Sequence, residues 1–572
     1  MLKSNVFYLF ILFAIFAILL KYYLNLSLTS SENIDNNNND FDNDVIVQTS
    51  TGTFRGQTLN ELHKRVDQFL AIPYAEPPIG SLRFAKPVPI RSTNNDVIID
   101  ATKVGKSCIQ NTVQNIGELL DGVTGQVDES EDCLVLNIWT ANRINYQSNG
   151  HLQAVMFWIH GGALSLGSIF DHLYNGSLLA THDVLVVSTN YRLGQFGFLY
   201  GGTESAPGNV GFYDQLLALK WVHENIHLFG GDRDQITIFG ESAGSWSVSA
   251  HILSPLSKGL FKRAILGSGA LVFNKDRPIL DASNGIEKSR QTANKLNCSE
   301  KYGDNWLDCL RDVDAKQLIE TDENGGSLYI TYPVFGTEFL PNLPKQVIDN
   351  KLFDINVDVM SGVTREEGVI MAVMQYHEIM DDLFDLQKFR TVVDKVNQVL
   401  HNIDTKKVSD LYTKTVDRKN ASQLRRAFGE FYGDIFLKCP TYELARKIAE
   451  TGGQSAVYFY QLNYQSKLLA PFGCDDSTIC HGSDLDYIFG TPLRDQNAYT
   501  ETDYDFSMDI MKMWTNFAKY GNPRSYWPKV LDSKTSDSKT FKVKLLHPNN
   551  MNQILEDPYK STCDMIWKNY YF

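Results

Sequence analysis

Residues Gln235 to Gly244 read QITIFGESAG, and their order decides the fold. The apolar, β-branched and aromatic QITIF run predicts a buried strand. It passes without a linker into Gly240, Glu241, Ser242, Ala243 and Gly244, and helical spacing follows from Ser245. A serine between two glycines at a strand-to-helix turn makes a G-x-S-x-G elbow. The glycines let the chain reverse under the serine, which lifts its hydroxyl off the sheet edge and aims the following backbone N–H at the same point. An ordinary glycine-rich turn is the bland alternative, and the flanking strand and helix weigh against it.

Outward from this turn, apolar runs recur at Ala154 to Ile159, Val184 to Ser188, Arg263 to Leu266 and Val357 to Gly362, separated by longer amphipathic segments. Such alternation predicts an α/β protein with a large, mostly parallel sheet and helices on both faces. Together with the elbow it predicts the α/β-hydrolase fold. Phe212 to Leu228 has helical spacing, and Gly230 and Gly231 stop it before the QITIF strand. No repeat or Pro/Gly-rich linker divides residues 45–572, so one catalytic domain with long insertions is expected.

A serine hydroxyl is a weak nucleophile without a base, and in this fold the acid and then the histidine follow it in the chain. That order leaves His251, His377, His401, His481 and His547. His251 lies on the helix leaving the elbow and His401 within a helical pattern, while His377 and His547 have no neighbouring glycine or turn to free the ring. His481 sits in TICHGSD beside Gly482, which makes it the expected base. The acid should close a strand, and VDVMSGVTREEG offers Glu366 and Glu367 without a means of choosing between them. HGGA, from His160 to Ala163, follows the AVMFWI strand as a loop of small residues whose N–H groups could face an oxyanion.

The whole chain bounds the remaining possibilities. Its 572 residues carry a net charge of -14, which argues against nucleic acid or an anionic membrane as the main partner. Val6 to Leu20 is an apolar run flanked by Lys3 and Lys21, so residues 1–28 read as a signal peptide or signal anchor. Residues 29–44 include the stretch NIDNNNNDFDND, a polar spacer too poor in apolar groups to fold. Eight cysteines in a chain bound for an oxidising compartment point to disulfides, with Cys298 and Cys309, and Cys474 and Cys480, close enough to form small loops. Sequons at Asn175, Asn297 and Asn420 fit a glycosylated exterior, secreted or anchored with the domain outside the cytosol. His223 to His227 reads HENIH, a zinc-peptidase pattern, but Leu216, Leu219 and Ile226 share its helical stripe and no third ligand follows. No metal or cofactor is expected.

Several longer stretches carry a resemblance. FGGDRDQITIFGESAG from Phe229, EDCLVLNIW from Glu131, FLAIPYAEPPIGSLRF, NYRLGQFGFL and HGSDLDYIFG together resemble the type B carboxylesterase and cholinesterase family over nearly all of residues 45–572. The resemblance implies a serine esterase with a Ser242, His481 and Glu367 triad, because the family's acid immediately precedes a glycine. It implies oxyanion donors at Gly162, Ala163 and Ala243, where many members have glycine in place of Ala163. It also implies disulfides Cys108 to Cys133, Cys298 to Cys309 and Cys439 to Cys563, leaving Cys474 and Cys480 as an extra pair, and structural ion pairs Arg83 with Glu131 and Arg192 with Asp214. A non-catalytic adhesion relative would lack the serine or the histidine, and both are present here.

His481 would take the Ser242 proton as the hydroxyl attacks a small carboxylic ester, Glu367 would hold the ring, and water would then release the acyl-enzyme. Glu241 would contribute local electrostatics. An unperturbed imidazole titrating near about 6.5 predicts a rate that falls in acid. A cholinesterase holds its quaternary ammonium on a tryptophan face in the loop corresponding to Cys108 to Cys133, and this loop has no Trp, Tyr or Phe. The tryptophan's place falls on Val123, and further family aromatics are replaced by Ile370 and Met371. A general carboxylesterase is therefore expected over a choline-selective one, unless Tyr174 or Tyr329 supplies the missing face.

Overall fold

A computed structural model of the chain describes residues 44–91, 97–110, 128–141, 150–298, 303–321, 330–451, 453, 455–466, 478–495, 497–531 and 540–572. Residues Asp44–Phe572 form one compact unit. Their described strands build a 13-stranded sheet. It begins antiparallel, from Asp44–Gln48 through Thr53–Glu61, Lys64–Pro73 and Val135–Thr140 to Leu185–Thr189. From there it is parallel through Gln153–Ile159, Gly231–Glu241, Arg263–Gly267, Asp358–Thr364, Val457–Leu462 and Lys542–Leu546. Ile554–Glu556 closes the far edge antiparallel, and Ile98–Asp100, the thirteenth strand, lies off this path, parallel to Thr53–Glu61. The five strands expected from apolar runs are all here, shifted at their ends by a few residues.

The central strands are apolar throughout because both of their faces are covered. Along Gln153–Ile159 every residue is buried, and successive side chains serve different cores. Val155, Phe157 and Ile159 join a core roofed by the helices Val210–Asn225, Ala243–Leu253, Ala421–Gly433 and Cys439–Glu450. Met156 and Trp158 join the opposite one, under Ser177–Ala180, Leu485–Phe489 and Glu501–Tyr520. The period of two residues thus divides one strand between two hydrophobic layers. The last of these helices starts at a capping box between Thr500 and Asp503 and stops at Gly521, whose φ of 70° closes the final turn.

A third, smaller core of Phe84, Phe196, Trp306 and Leu310 surrounds the Cys298–Cys309 disulfide. Arg83 ties it to the body, with Nε donating to Glu131 2.8 Å away and Nη1 donating to the carbonyls of Leu310 and Val313. Cys108–Cys133 and Cys439–Cys563 are also bonded, so the three pairs implied by resemblance are formed. Cys474 lies outside the described residues. The Phe212 to Leu228 helix runs as Val210–Asn225 and tightens into a 3₁₀ turn at Ile226–Phe229. The HENIH pattern therefore straddles a helix end, with His223 half-buried and His227 exposed.

Candidate active site

The strand Gly231–Glu241 ends at the carboxyl edge of the parallel sheet, where open α/β sheets place their ligands. Ser242 is the next residue, held by its N–H donating to Gly267 O at 2.9 Å. Its φ of 57° and ψ of -124° lie outside the ordinary regions for a side-chain-bearing residue. That strain is local and of order 1–3 kcal/mol, and the packing around it maintains it. The flanking glycines are required by close approach. A Cβ on Gly240 would meet Gly244 C at 2.5 Å, and one on Gly244 would meet Ile159 O at 2.1 Å. The helix after the turn starts at Ala243, two residues before the expected Ser245.

Ala243 is the first residue of that helix, so its N–H has no carbonyl within the helix to bond. Gly162 and Ala163 supply two more N–H groups without an acceptor among the described residues. Their φ values of 97° and 57° turn the HGGA loop, and Ala163 adopts a conformation that glycine would take at lower cost. His160 at the head of the loop is buried, stacked on Tyr191 with centroids 4.5 Å apart, and burial lowers its pKa to about 4. It is neutral at physiological pH.

Glu366 and Glu367 are separated by geometry. Glu366 pairs with Cys480 in an isolated parallel bridge, its N–H donating to Ile479 O and its Oε2 accepting from Ile479 N at 2.8 Å. Its other oxygen faces Arg365. Glu367 turns inward, where Oε1 accepts from Thr364 N at 2.6 Å and Oε2 meets His481 Nδ1 at 2.7 Å. The bridge that pins Glu366 beside Cys480 thus sets Glu367 beside His481 across 114 residues.

His481 Nε2 lies 3.2 Å from Glu241 Oε1 and makes no hydrogen bond among the described residues. No hydrogen bond joins Ser242 to His481. Asp484, in the turn after His481, accepts from the Tyr460 hydroxyl at 2.7 Å and leaves Oδ1 unpartnered. Burial by itself disfavours the imidazolium, but the carboxylates of Glu241, Glu367 and Asp484 outweigh it and raise His481 to about 9. Burial also raises Glu241 to about 8, against the lowering influence of His481. Across 3.2 Å the two compete for one proton. Asp484, raised to about 6 chiefly by burial, belongs to the same cluster. Sequence reasoning did not assign it; its position three residues after His481 was the available signal.

The other histidines lie elsewhere. His251 is buried between Ser257 Oγ and Gln215 Oε1, His377 opens a 3₁₀ turn, His547 caps another, and His401 follows the helix Leu386–Leu400 instead of lying within it. No group of three metal-binding side chains occurs among the described residues.

A doubly flanked parallel sheet with a strained serine at its carboxyl edge, followed along the chain by an acid and a histidine that meet, is an α/β-hydrolase. Residues 43–563 match the model of the carboxylesterase family. The mouse cholinesterase is 34% identical over 528 residues, covering 87% of this chain and 84% of that protein. The acetylcholinesterase of Leptinotarsa decemlineata is 30% identical over 516 residues, covering 85% and 80%. The chain belongs to the carboxylesterase family and is a carboxylic ester hydrolase.

Proposed function

We propose that Ser242 is the nucleophile, His481 its general base and Glu367 the acid that orients the ring, with Gly162, Ala163 and Ala243 donating to the oxyanion. The observation carrying this reading is the 2.7 Å contact of Glu367 with His481 Nδ1, which leaves Nε2 without a hydrogen bond, 3.2 Å from the carboxylate of Glu241, the residue adjoining Ser242. Ser242 Oγ attacks the ester carbonyl, the proton passes to Nε2 and then to the departing alcohol, and water repeats the sequence on the acyl-enzyme. A fluorophosphonate is expected to modify Ser242 alone, read by peptide mass spectrometry. Modification elsewhere with Ser242 untouched would reject the assignment.

The raised pKa of His481 revises the acid limb expected from an ordinary imidazole. In free enzyme the fall of kcat/KM should lie above about 6.5, since His481 must lose its proton to act as base. Glu241→Gln removes a negative charge that favours the imidazolium, so the limb should move to lower pH by about one unit. A limb that stays in place or moves upward would show that Glu241 does not act on His481.

The alcohol side favours a general carboxylesterase. Val123 and Tyr329 lie outside the described residues, while Ile370 is half-buried and Met371 buried at the aliphatic positions. Tyr174 packs on Trp158 and Phe489, with centroids 5.2 and 5.8 Å away. An aliphatic wall forgoes about 0.5–2 kcal/mol of cation–π attraction per good contact. A choline ester and its neutral tert-butyl analogue should therefore have kcat/KM values within about threefold. The names of the two relatives favour the second reading, a cholinesterase, and a preference for the choline ester beyond about thirtyfold would establish it.

Residues 1–28 direct secretion or anchoring, and the polar stretch read at 29–44 is a spacer that ends where the first strand begins, at Asp44. Three disulfides fit an oxidising compartment, and Asn297 and Asn420 are exposed for glycosylation, with Asn175 half-buried. Among the described residues no helix is long and apolar enough to cross a membrane.

A further inference from the structure

Gln110 stands two residues after Cys108, which is bonded to Cys133, and its side-chain amide meets both backbone groups of one residue on a different segment. Its Oε1 accepts the Gly167 N–H at 2.8 Å, while its Nε2 donates to Gly167 O at 3.2 Å and to Cys108 O at 3.1 Å. A primary amide offers one oxygen and two N–H groups, and each has a partner here. Gln110 is itself anchored. Its N–H donates to Glu129 Oε2 at 3.4 Å, and the strand Ser107–Cys108 pairs in parallel with Glu129–Ser130. A second amide joins the same two stretches: Asn190 Nδ2 donates to Lys106 O at 3.2 Å, and its Oδ1 accepts the Ile169 N–H at 2.9 Å. Asn190 is buried, whereas Gln110 is half-buried.

Gly167 is where this clamp reaches the HGGA loop. A Cβ on it would meet His160 Nδ1 at 2.5 Å and Gly161 O at 3.0 Å, so its backbone packs directly on the residues that open the loop. In a trans peptide the N–H points opposite to the carbonyl of the preceding residue, so whatever fixes one carbonyl aims the next N–H. Gly161 O accepts from His160 Nδ1 at 2.9 Å, which sets the N–H of Gly162. Gly162 O accepts the N–H groups of Ser165 and Leu166, both at 2.9 Å, which sets the N–H of Ala163. Leu166 adjoins Gly167 in the chain, and a Cβ on Gly162 would meet Leu166 O at 2.0 Å. Both peptides are thus held by Leu166 or packed on by Gly167. Further along, Ala163 O accepts the Thr331 N–H at 3.0 Å and Leu164 O that of Gly194 at 2.8 Å.

We propose, resting on Gly162 and Ala163 as oxyanion donors, that Gln110 is a positioning residue: by clamping Gly167 it holds the two donor peptides in place and ties the disulfide-closed loop to the rate of the chemical step. Oxyanion donors act by standing in place before charge develops, and a displacement of about 1 Å costs about a hundredfold. An uncharged ester carbonyl demands less of them, so the loss falls on kcat more than on KM.

The test uses the full-length protein carrying Gln110→Met, which keeps the length of the side chain and loses its hydrogen bonds, or Gln110→Glu, which keeps the acceptor but sets a carboxylate against the carbonyls of Gly167 and Cys108. Turnover of 4-nitrophenyl acetate is counted per site titrated to completion with a fluorophosphonate, so the folded fraction cancels. Both variants should lose about ten- to a hundredfold in kcat, with KM within about threefold of wild type. A second readout isolates the oxyanion. When an aryl trifluoromethyl ketone binds, Ser242 Oγ adds to the carbonyl carbon, the serine proton passes to His481 and the carbonyl oxygen takes the negative charge; the matching methyl ketone stays unreacted. The trifluoromethyl ketone should bind about ten- to a hundredfold more weakly to the variants, and the methyl ketone equally to all. A kcat within about twofold of wild type in Gln110→Met, a loss carried by KM, or an unchanged affinity for the trifluoromethyl ketone would overturn the proposal. So would the absence of titratable sites in both variants, which would make Gln110 a residue of the fold alone. Wild type and Ser242→Ala test the underlying reading: a trifluoromethyl ketone held no tighter than the methyl ketone removes the donors, whereas tight, Ser242-dependent binding indifferent to Gln110 removes only the clamp.

Discussion

Ser242→Ala is expected to lower kcat for a simple aryl ester by about four to six orders of magnitude. In the proposed mechanism the serine supplies the covalent route, and without it neither His481 nor Glu367 has a hydroxyl to activate. What survives is the contribution of bound geometry and the oxyanion donors, about a thousandfold over water in comparable sites. Each tenfold loss corresponds to about 1.4 kcal/mol of transition-state stabilisation, so the whole change is about 5–8 kcal/mol. Little should change in the fold, because alanine keeps the Ser242 backbone bonds to Gly267 and Trp246 and loses one oxygen. Unchanged circular dichroism with lost turnover would support the assignment. Retention of more than about a tenth of wild-type kcat would remove it.

A second large effect should appear in stability. Asp214 of the helix Val210–Asn225 is fully buried and grips Arg192, which is 3% exposed, through Nε at 2.8 Å and Nη2 at 2.7 Å. It also accepts the Arg192 backbone N–H at 3.0 Å. Asp214→Ala leaves a guanidinium in the core without its counter-charge, at a cost of about 3–5 kcal/mol. The pair itself need not be stabilising, since its Coulomb attraction is set against the desolvation of two charges. Arg192→Met with Asp214→Leu should therefore recover most of the loss. Denaturant midpoints of wild type, single and double variants decide it. A single variant within about 1 kcal/mol of wild type would show that water reaches Arg192.

The readings that succeeded from sequence were local ones. The Gln235 to Gly244 stretch could be read because a strand, two obligatory glycines and a helix start are consecutive, and the steric reason for each glycine lies within the turn or on the adjoining strand. Chain order, with Gly482 adjoining, singled out His481 as the base now proposed. Parallel strands were legible because burial on both faces leaves a continuous apolar run. The composition of the Cys108 to Cys133 loop was equally plain, although Val123 itself lies outside the described residues.

Glu366 against Glu367 shows where such reading stops. The two have the same chemistry and adjoining positions, and what separates them is a backbone bridge to Cys480 that turns one toward Arg365 and the other toward His481. The contact spans 114 residues, and no local propensity encodes it. The gathering of Glu241 and Asp484 around the same imidazole was likewise invisible, and with it the upward shift of His481, because a pKa depends on burial and on charges that arrive from different strands. The sequence by itself determined the sheet, the elbow and the class of chemistry, since these rest on neighbours in the chain. Tertiary structure showed which carboxylate stands against the His481 ring and how far neighbouring carboxylates raise its pKa, because each depends on residues brought together only by folding.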